Sequence, residues 1–575
     1  MNRNRLRRVM NAARGALLTV VAAGNAHAQA PTNPPPAVRQ QGEQLERLQQ
    51  DREEAQRRRL QASPSALTPP ASEQRRPWPE AESPCRAIQE VALVGDSSEA
   101  FRWVLADLIA GPDPAIGRCL GVGGVNVAAE RAQQALMARG FVTSRIVFEP
   151  QNLSSGRLTL TLLPGRIRAI RFATPDVRAN AWNAVPAQPG DVLNLRDVEQ
   201  ALENFKRVPT AEADIQIEPA DVPGQSDLVI SWRQSLPFRL NVTLDDSGTK
   251  ATGRYQGSAT LSIDHGLTLN DLFYVTVNRD LGGGIPGDRG TQGHTVHYSL
   301  PWDHWLLGFT QSASRYHQSV AGLNQDYVYS GQNESADLKL SRLVYRDASR
   351  KTTASLKGWL RRSKNFIDDT EVQTQRRATG GWELGLGHRE FVGRATLDVN
   401  LGHKRGTGAF GAVPAPEEAF DEGTSRMRIT TLDVNFTAPF NLASQKLRYA
   451  GALRVQRNGT LLTPQDRFAI GGRYSVRGFD GESSLSAERG WTLRNDLGWA
   501  LGETGQEAYL GVDFGAVSGP TARFLVGRSL AGAVLGVRGH LHRLHCDVFI
   551  GRPIRQPNAF RSATVTAGFS LAASF

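Results

Sequence analysis

The sequence predicts a transmembrane β-barrel of about 16 antiparallel strands, preceded by two small α+β domains and an N-terminal plug helix. Three observations carry this prediction. Segments that alternate apolar with small or polar residues recur through residues 236–575. Residues 1–30 have the composition of a secretory signal peptide. No later run approaches the roughly 18–20 apolar residues that a spanning helix needs.

Residues 1–30 begin with five arginines and no acidic residue, continue with the apolar stretch 16–23, and end in the small-x-small pattern of a cleavage site. We therefore expect an exported precursor that loses this signal peptide. The formal net charge of +11 falls to about +6 without those five arginines, which is an ordinary balance for a chain of this length. Nucleic acid is not an expected partner.

Residues 31–62 are expected to contain a helix that is polar on every side. Between Val38 and Gln61 the chain has no proline and is rich in Gln, Glu and Arg, which are good helix formers. Such a helix needs an aqueous setting, either as a solvated tail or as a plug in a wet lumen. Residues 63–84 hold six prolines and predict a stiff linker. At about 3.1 Å per residue this linker can reach on the order of 65 Å, more than a bilayer.

Two similar units of β-α-α-β-β type are expected at residues 85–166 and 167–235, and we call them domain 1 and domain 2. Helices are predicted at 101–110, 127–139 and 195–207, and strands at 87–94, 145–149, 157–163, 167–173, 214–218 and 227–232. Cys85 and Cys119 lie in domain 1, far from Cys546. In an oxidising compartment these two are expected to form a disulfide; the alternative is two buried thiols.

The barrel prediction covers residues 236–575. The last segment, 565–575, alternates apolar residues with small or polar ones and ends on Phe575, the expected C-terminal barrel signature. About sixteen such runs occur, and single-chain bacterial barrels have an even number of strands. Connections alternate between tight ones, as at 301–302, 389–390 and 503–506, and long ones, as at 281–290, 404–423 and 458–489. Two soluble β-sandwiches would not explain this asymmetry.

Two motifs in the barrel make a resemblance specific. The sequence IGGRYSVRGF at 470–479 carries a Val-Arg-Gly-Phe signature at Val476, Arg477, Gly478 and Phe479, inside the longest connection. The sequence YLGVDFG at 509–515 matches an aromatic-x-Gly-x-Asp-x-Gly strand motif. With the domain order, from residue 38 to 575, the chain resembles the two-partner secretion transporters of the TpsB family. The resemblance implies that domains 1 and 2 are polypeptide-transport-associated (POTRA) domains.

The strand motif also has a physical interpretation. Leu510, Val512 and Phe514 form a lipid-facing row, which directs the alternate residues Tyr509, Gly511, Asp513 and Gly515 into the lumen. The two glycines leave room for another segment to approach the wall. A loop folded back into the lumen would bring Arg477 to Asp513 as a charge-assisted pair. The alternative is a solvated Arg477 and a generic polar Asp513, and the resemblance favours the pair.

No cofactor, metal site or catalytic residue is expected. The pattern G-x-G-x-x-G at 282–287 lies between strands with no helix after it, so a dinucleotide site is not indicated. His540, His542, His545 and Cys546 straddle a tight turn in which alternate residues point apart, which disfavours a metal site. No nucleophile elbow is visible, and the chain is not expected to be an enzyme.

The resemblance implies an outer-membrane transporter of a Gram-negative bacterium. Its periplasmic domains would recognise one large exoprotein (an adhesin, a haemolysin or a contact-dependent toxin), and its barrel would export it. Outer-membrane lipid and, during biogenesis, the barrel-assembly machinery are the other expected partners. Two alternatives stay open at this point: a barrel-assembly insertase of the same superfamily, and a plugged nutrient receptor.

Overall fold

The computed structural model describes residues 44–47, 76–175, 177–322 and 325–575. The signal peptide, most of the plug-helix region and the linker up to residue 75 lie outside the described residues. Domain 1 contains β1 (Arg86–Ala87), β2 (Glu90–Gly95), α1 (Ala106–Ala110), β3 (Cys119–Leu120), α2 (Val122–Ala138), β4 (Arg145–Val147) and β5 (Arg157–Leu163). Domain 2 contains β6 (Arg166–Phe172), α3 (Leu195–Lys206), β7 (Ala211–Pro219) and β8 (Gln225–Gln234).

The remaining elements belong to the barrel and its loops. The strands are β9 (Phe238–Asp245), β10 (Gln256–Asp264), β11 (Leu272–Asp280), β12 (Arg289–Trp302), β13 (Trp305–Ala321), β14 (Asp326–Arg346), β15 (Arg350–Ile367), β16 (Thr370–Glu371), β17 (Arg377–Val392), β18 (Ala395–Thr407), β19 (Arg428–Leu442), β20 (Gln445–Asn458), β21 (Phe468–Ile470), β22 (Leu485–Ala487), β23 (Arg489–Ala500), β24 (Gln506–Ser518), β25 (Ser529–Leu541), β26 (Leu544–Arg555) and β27 (Thr566–Ser574). Short 3₁₀ helices lie at Ser98–Leu105, Leu153–Ser155, Gln373–Gln375, Ala409–Gly411, Pro416–Phe420, Pro464–Asp466 and Pro520–Phe524.

Domain 1 packs its helices on a three-stranded sheet of order β2-β5-β4. Leu158, Leu160 and Leu162 of β5 are fully buried and face the helix layer, as the period of two requires. The first predicted helix, 101–110, is a 3₁₀ segment followed by the short α1. Strand β1 pairs with β3, and a disulfide joins Cys85 to Cys119 at this point.

Helix α2 begins at Val122, five residues before the predicted start at 127. Glycines at 123 and 124 disfavour a helix in the sequence pattern, because glycine loses more backbone entropy than other residues. The carboxylate of Glu82 compensates by accepting the backbone N–H groups of Gly121, Gly123 and Gly124 at 2.6–2.9 Å. A negative charge at a helix N-terminus is favourable, so a contact distant in sequence sets this boundary.

Residues 76–84 pack against domain 1, although their proline content assigned them to the linker. Trp78 is buried, its indole N–H donates to Asp113 O at 3.1 Å, and the Arg131 guanidinium lies 4.2 Å from its ring centre. The part of the linker that the structure describes is therefore held by the domain that it precedes.

Domain 2 follows directly, because β6 begins three residues after β5 ends. Its sheet has the order β6-β8-β7, and α3 packs on it through Val198, Ala201 and Phe205. The side chain of Asn194 caps α3 by accepting the N–H of Arg196 at 2.8 Å. Predicted and observed bounds of this helix, 195–207 and Leu195–Lys206, agree to one residue.

The barrel closes in chain order from β9 to β27, and sixteen of the described strands form its wall; β21 and β22 lie in a loop and β16 is a two-residue extension beside β15. Strand β27 pairs with β9, and the N–H of Phe575 donates to Leu240 O at 2.9 Å. Leu510 and Phe514 are exposed on the outer face, whereas Tyr509 and Asp513 are buried. No helix in the described residues is long and apolar enough to cross a membrane.

The prediction of a tight turn at 389–390 is wrong. Both residues lie inside β17, and the reversal occurs at residues 393–394. Arg389 faces the carboxylate of Asp398 across the β17–β18 ladder and forms a cross-strand ion pair with it.

Candidate functional site

The longest connection, residues 459–488, folds back into the barrel, and we call it the VRGF loop. Its strands β21 and β22 pair with each other. Their side chains form an apolar cluster with Val517 of β24, Leu530 of β25 and Phe560. Val476 and Phe479 of the signature are buried in this cluster, where Phe479 meets Phe560 edge-to-face. Two of the four signature residues therefore hold the loop in shape.

Arg477 points from the loop to the barrel wall and meets Asp513. Its Nε lies 2.7 Å from Oδ2 and its Nη2 2.8 Å from Oδ1, while its backbone N–H donates to Oδ2 at 2.9 Å. Both side chains are almost fully buried. A bidentate, charge-assisted contact of this kind is strong, and burial leaves neither partner a solvent alternative.

Asp496 of β23 is a second carboxylate for the same guanidinium, and the sequence analysis missed it. Its Oδ1 accepts from Arg477 Nη2 at 2.5 Å, and its Oδ2 accepts from Arg538 at 2.9 Å. Arg538 also donates to Glu507, which pairs with Arg448. Cations and carboxylates therefore alternate along the lumen side of the wall, in the order Arg477, Asp496, Arg538, Glu507 and Arg448. The available signal was an acidic residue at an inward-facing position of the strand that pairs with β24.

Small residues in the wall make this approach possible. A Cβ at Gly511 would lie 2.7 Å from Arg477 Nη2, and one at Gly515 would lie 2.7 Å from Val476 Cγ2. A Cβ at Gly532 of β25 would collide with the Arg477 carbonyl. Gly478 adopts φ 94°, which side chains other than glycine rarely accept. The two predicted glycines and Gly532 together form the surface that receives the loop.

Arg473, three residues into the same motif, spans the two ends of the barrel ladder. Its Nη2 lies 2.7 Å from Asp246 Oδ1, just after β9, and 2.9 Å from the Phe569 carbonyl of β27. The N–H of Phe569 donates to the same Asp246 oxygen at 2.9 Å. The VRGF loop is thus attached to the closing strands as well as to β24.

Helical residues Gln44–Arg47 lie inside the barrel, within the region predicted as a plug helix. Gln44 donates to Gly481 O at 2.6 Å, Arg47 donates to Pro464 O at 2.8 Å, and Gln465 donates to Glu46. These partners belong to the VRGF loop. Glu46 and Arg47 also line a cavity of about 400 Å³ whose other walls include charged lumen residues.

Domain 2 is attached to the periplasmic turns of the barrel through buried polar groups. Asn183 donates to Leu269 O at 2.6 Å and to Pro301 O at 3.0 Å, and Asn204 of α3 donates to Asp303 O at 2.9 Å. Arg346, at the end of β14, donates to Glu203 and Gln200 of α3, each at 2.9 Å. Burial alone would raise the pKa of Glu203, but the cations of Lys351 and Arg346 hold it below its usual range.

Comparisons with known proteins match both the N-terminal domains and the barrel. Residues 224–539 match the family model described as haemolysin secretion/activation protein ShlB/FhaC/HecB. Residues 87–165 match a ShlB-type POTRA domain and residues 166–219 a POTRA domain. The chain belongs to this family.

Individual relatives agree with the family match. The chain is 36% identical to the outer membrane transporter CdiB-2 of Burkholderia pseudomallei, over 98% of this chain and 100% of the relative. It is 25% identical to the haemolysin transporter ShlB of Serratia marcescens, over 76% and 77% of the two chains. The solved structure of CdiB from Acinetobacter baumannii superposes with a TM-score of 0.82 at 31% identity, covering 94% of this chain and 99% of that one. The protein is therefore an outer-membrane transporter of two-partner secretion, and its relatives are transporters rather than enzymes.

Proposed function

We propose that the transporter exports one large exoprotein that binds domain 1 first and then passes through a lumen from which the plug segment has withdrawn. The observation that carries the proposal is the segment Gln44–Arg47, which lies in the lumen and bonds to the VRGF loop through polar groups. The bond of Gln44 is between neutral groups and contributes about 0.5–1.5 kcal/mol, while those of Glu46 and Arg47 involve charged groups and contribute about 1.5–3 kcal/mol each; water in an open lumen can replace all three. Such a segment can leave a wet lumen without exposing an apolar core.

A binding edge for the client lies on domain 1. Strand β4 is an outer strand of the sheet, and Val147 and Phe148 at its end are each 36% exposed. An extended client can add as a strand there, with main-chain hydrogen bonds for affinity and apolar contacts for selectivity. Replacing Phe148 with Lys is expected to reduce secretion. Val122→Lys, on the helical side of domain 1, is the matched control and should secrete normally.

We further propose that the exoprotein is a contact-dependent toxin rather than a haemolysin, because two transporters named CdiB match 98% and 94% of this chain, whereas the haemolysin transporter ShlB matches 76%. Co-expression with one candidate of each class, followed by measurement of protein in the medium, tests this choice. Preferential release of the haemolysin would contradict it.

The plug assignment is tested by conductance in planar bilayers. Deleting residues 38–61 should leave the barrel inserted and raise its conductance. Arg47→Ala, which removes the bonds to Pro464 O and Ser486, should raise the frequency of open events to a smaller extent. Arg376→Ala removes an exposed pair with Glu371 at the loop after β15 and serves as the control. Unchanged conductance of the deletion variant would refute the plug.

The role of the loop contact is tested by a double-mutant cycle. Arg477→Ala or Asp513→Ala leaves the other charge buried, which costs several kcal/mol, about 3–5 in typical buried pairs. Secretion should fall sharply while the amount of transporter in the outer membrane stays normal. The double variant should be little worse than Arg477→Ala alone, because that change already removes every contact between the two side chains, together with the bond to Asp496. Additive losses would mean that the two residues act separately.

A further inference from the structure

Trp182 is a large apolar side chain that domain 2 leaves exposed at the membrane end of the molecule. It lies between β6 and α3 and is 63% exposed. The next residue, Asn183, is 1% exposed and is bonded to the barrel turns at Leu269 and Pro301. Because the neighbouring residue is fixed in this way, the indole is held at a defined place against the barrel.

The side chain that Trp182 meets is Trp302, the last residue of β12. The two ring centres are 6.2 Å apart and the rings are nearly perpendicular. Trp302 is 59% exposed and continues the outward-facing row of β12, which contains Val296, Tyr298 and Leu300. Trp182 therefore extends the lipid-facing surface of the barrel onto domain 2.

The depth of this point in the membrane can be inferred from its neighbours. Trp305 begins the outward row of β13, and the guanidinium of Arg342 on β14 lies 5.0 Å from its ring centre. Tryptophan is enriched where hydrocarbon meets the headgroups, and an outward arginine reaches that level with its charged end. Trp302 and Trp305 lie at the two ends of one turn, so the ring of Trp182 is at the same level.

We propose that Trp182 inserts into the interfacial region of the periplasmic leaflet and that domain 2 binds glycerophospholipid there. The occupant is lipid rather than client because the surface is continuous with the outer face of the barrel. Leu267, 64% exposed, lies in the turn whose Leu269 carbonyl accepts from Asn183, and it adds a second apolar side chain to this end of the barrel. An amphipathic indole gains most at such a boundary, since its ring leaves water while its N–H keeps polar partners. Domain 2 is thereby oriented by the membrane as well as by the barrel turns.

Site-directed spin labelling of the full chain tests the proposal. Nitroxides are attached to Trp182→Cys, Leu267→Cys, Leu307→Cys and Val222→Cys, each in a Cys546→Ser background, and the protein is reconstituted in vesicles of phosphatidylethanolamine and phosphatidylglycerol. Leu307 faces lipid in β13, and Val222 lies in the turn between β7 and β8. The labels at 182 and 267 should collide more with oxygen than with a water-soluble nickel complex, as the label at 307 does. The label at 222 should show the opposite preference.

A second readout keeps Trp182 in place. In vesicles of acyl-brominated lipid, bromine should quench the fluorescence of Trp182. The Trp182→Phe variant should therefore lose emission from the quenched part of the total tryptophan fluorescence. The emission lost on Trp103→Phe, in domain 1, should belong to the unquenched fraction. If the label at 182 behaves like the label at 222, and the Trp182 emission is not quenched, domain 2 does not contact lipid and the proposal is overturned. The result is independent of which exoprotein is exported.

Discussion

Domains 1 and 2 share a fold type but are attached in different ways. Domain 2 contacts the barrel through buried groups, of which Asn183, Asn204 and Arg346 are at most 6% exposed in their side chains or as whole residues. Domain 1 meets domain 2 through partly buried apolar contacts of Val142 and Val192 and through a more open ion pair, in which Arg166 of β6 donates to Asp96 at 2.5 Å while the Asp96 side chain remains 64% exposed. Buried polar groups are costly to separate and exposed ones are not. We infer that domain 2 is held more firmly on the barrel than domain 1 is held on domain 2.

The largest expected effect is that of Arg346→Ala. The change leaves Glu199 and Glu203 without this cation in a mostly buried contact, and breaking such a pair costs roughly 3–5 kcal/mol. Domain 2 should dock less firmly on the barrel, although Asn183 and Asn204 keep their bonds, and secretion should fall; increased protease cleavage of α3 in intact outer membranes would detect the change. Arg166→Ala, at the open contact of domain 1, is the matched control and should do neither. Equal effects of both changes would show that the two domains are attached with similar strength.

An intermediate effect is expected for removal of the disulfide in domain 1. Replacing Cys85 and Cys119 with Ser reopens a loop of 34 residues, worth about 3–4 kcal/mol in the chain-entropy model. Domain 1 should become sensitive to protease while domain 2 stays docked. In the unreduced native protein, a thiol reagent should modify Cys546 at most. Modification of all three cysteines would show that the bond does not form in the cell.

The smallest expected effect is a pH dependence of the contact between domain 2 and the barrel. The folded pKa of Glu203 is lowered, so its contribution is fully present above the ordinary glutamate pKa of about 4.3 and is lost as the pH falls through the folded value. Protease sensitivity of α3 should therefore stay constant from neutral pH down to about pH 5 and rise only in stronger acid. Glu203→Gln should remove the acid-dependent part. A transition near neutral pH would point to another group.

Periodicity and local motifs predicted the parts of this molecule whose causes are local. The alternation along β24 fixed which side of the wall Asp513 faces, and the glycines at 511 and 515 indicated an approaching segment. The apolar spacing of α3 likewise predicted its bounds. Each of these features depends on residues within one or two turns of chain.

Contacts between distant segments were not predictable in the same way. Asp496 acquires its role only because β23 lies beside β24, and the start of α2 depends on Glu82, which is about forty residues away. Asn183 and Asn204 bond to backbone carbonyls of barrel turns, and a carbonyl has no sequence signature. The rest of the predicted plug helix, 38–61, lies outside the described residues.

The disulfide between Cys85 and Cys119 also sets an order of events during maturation. The cytosol is reducing and keeps cysteines as thiols, so this disulfide forms only after the chain has crossed the inner membrane. Until then domain 1 lacks about 3–4 kcal/mol of its final stability. Domain 1 therefore reaches its full stability only in the oxidising compartment on the far side of the inner membrane.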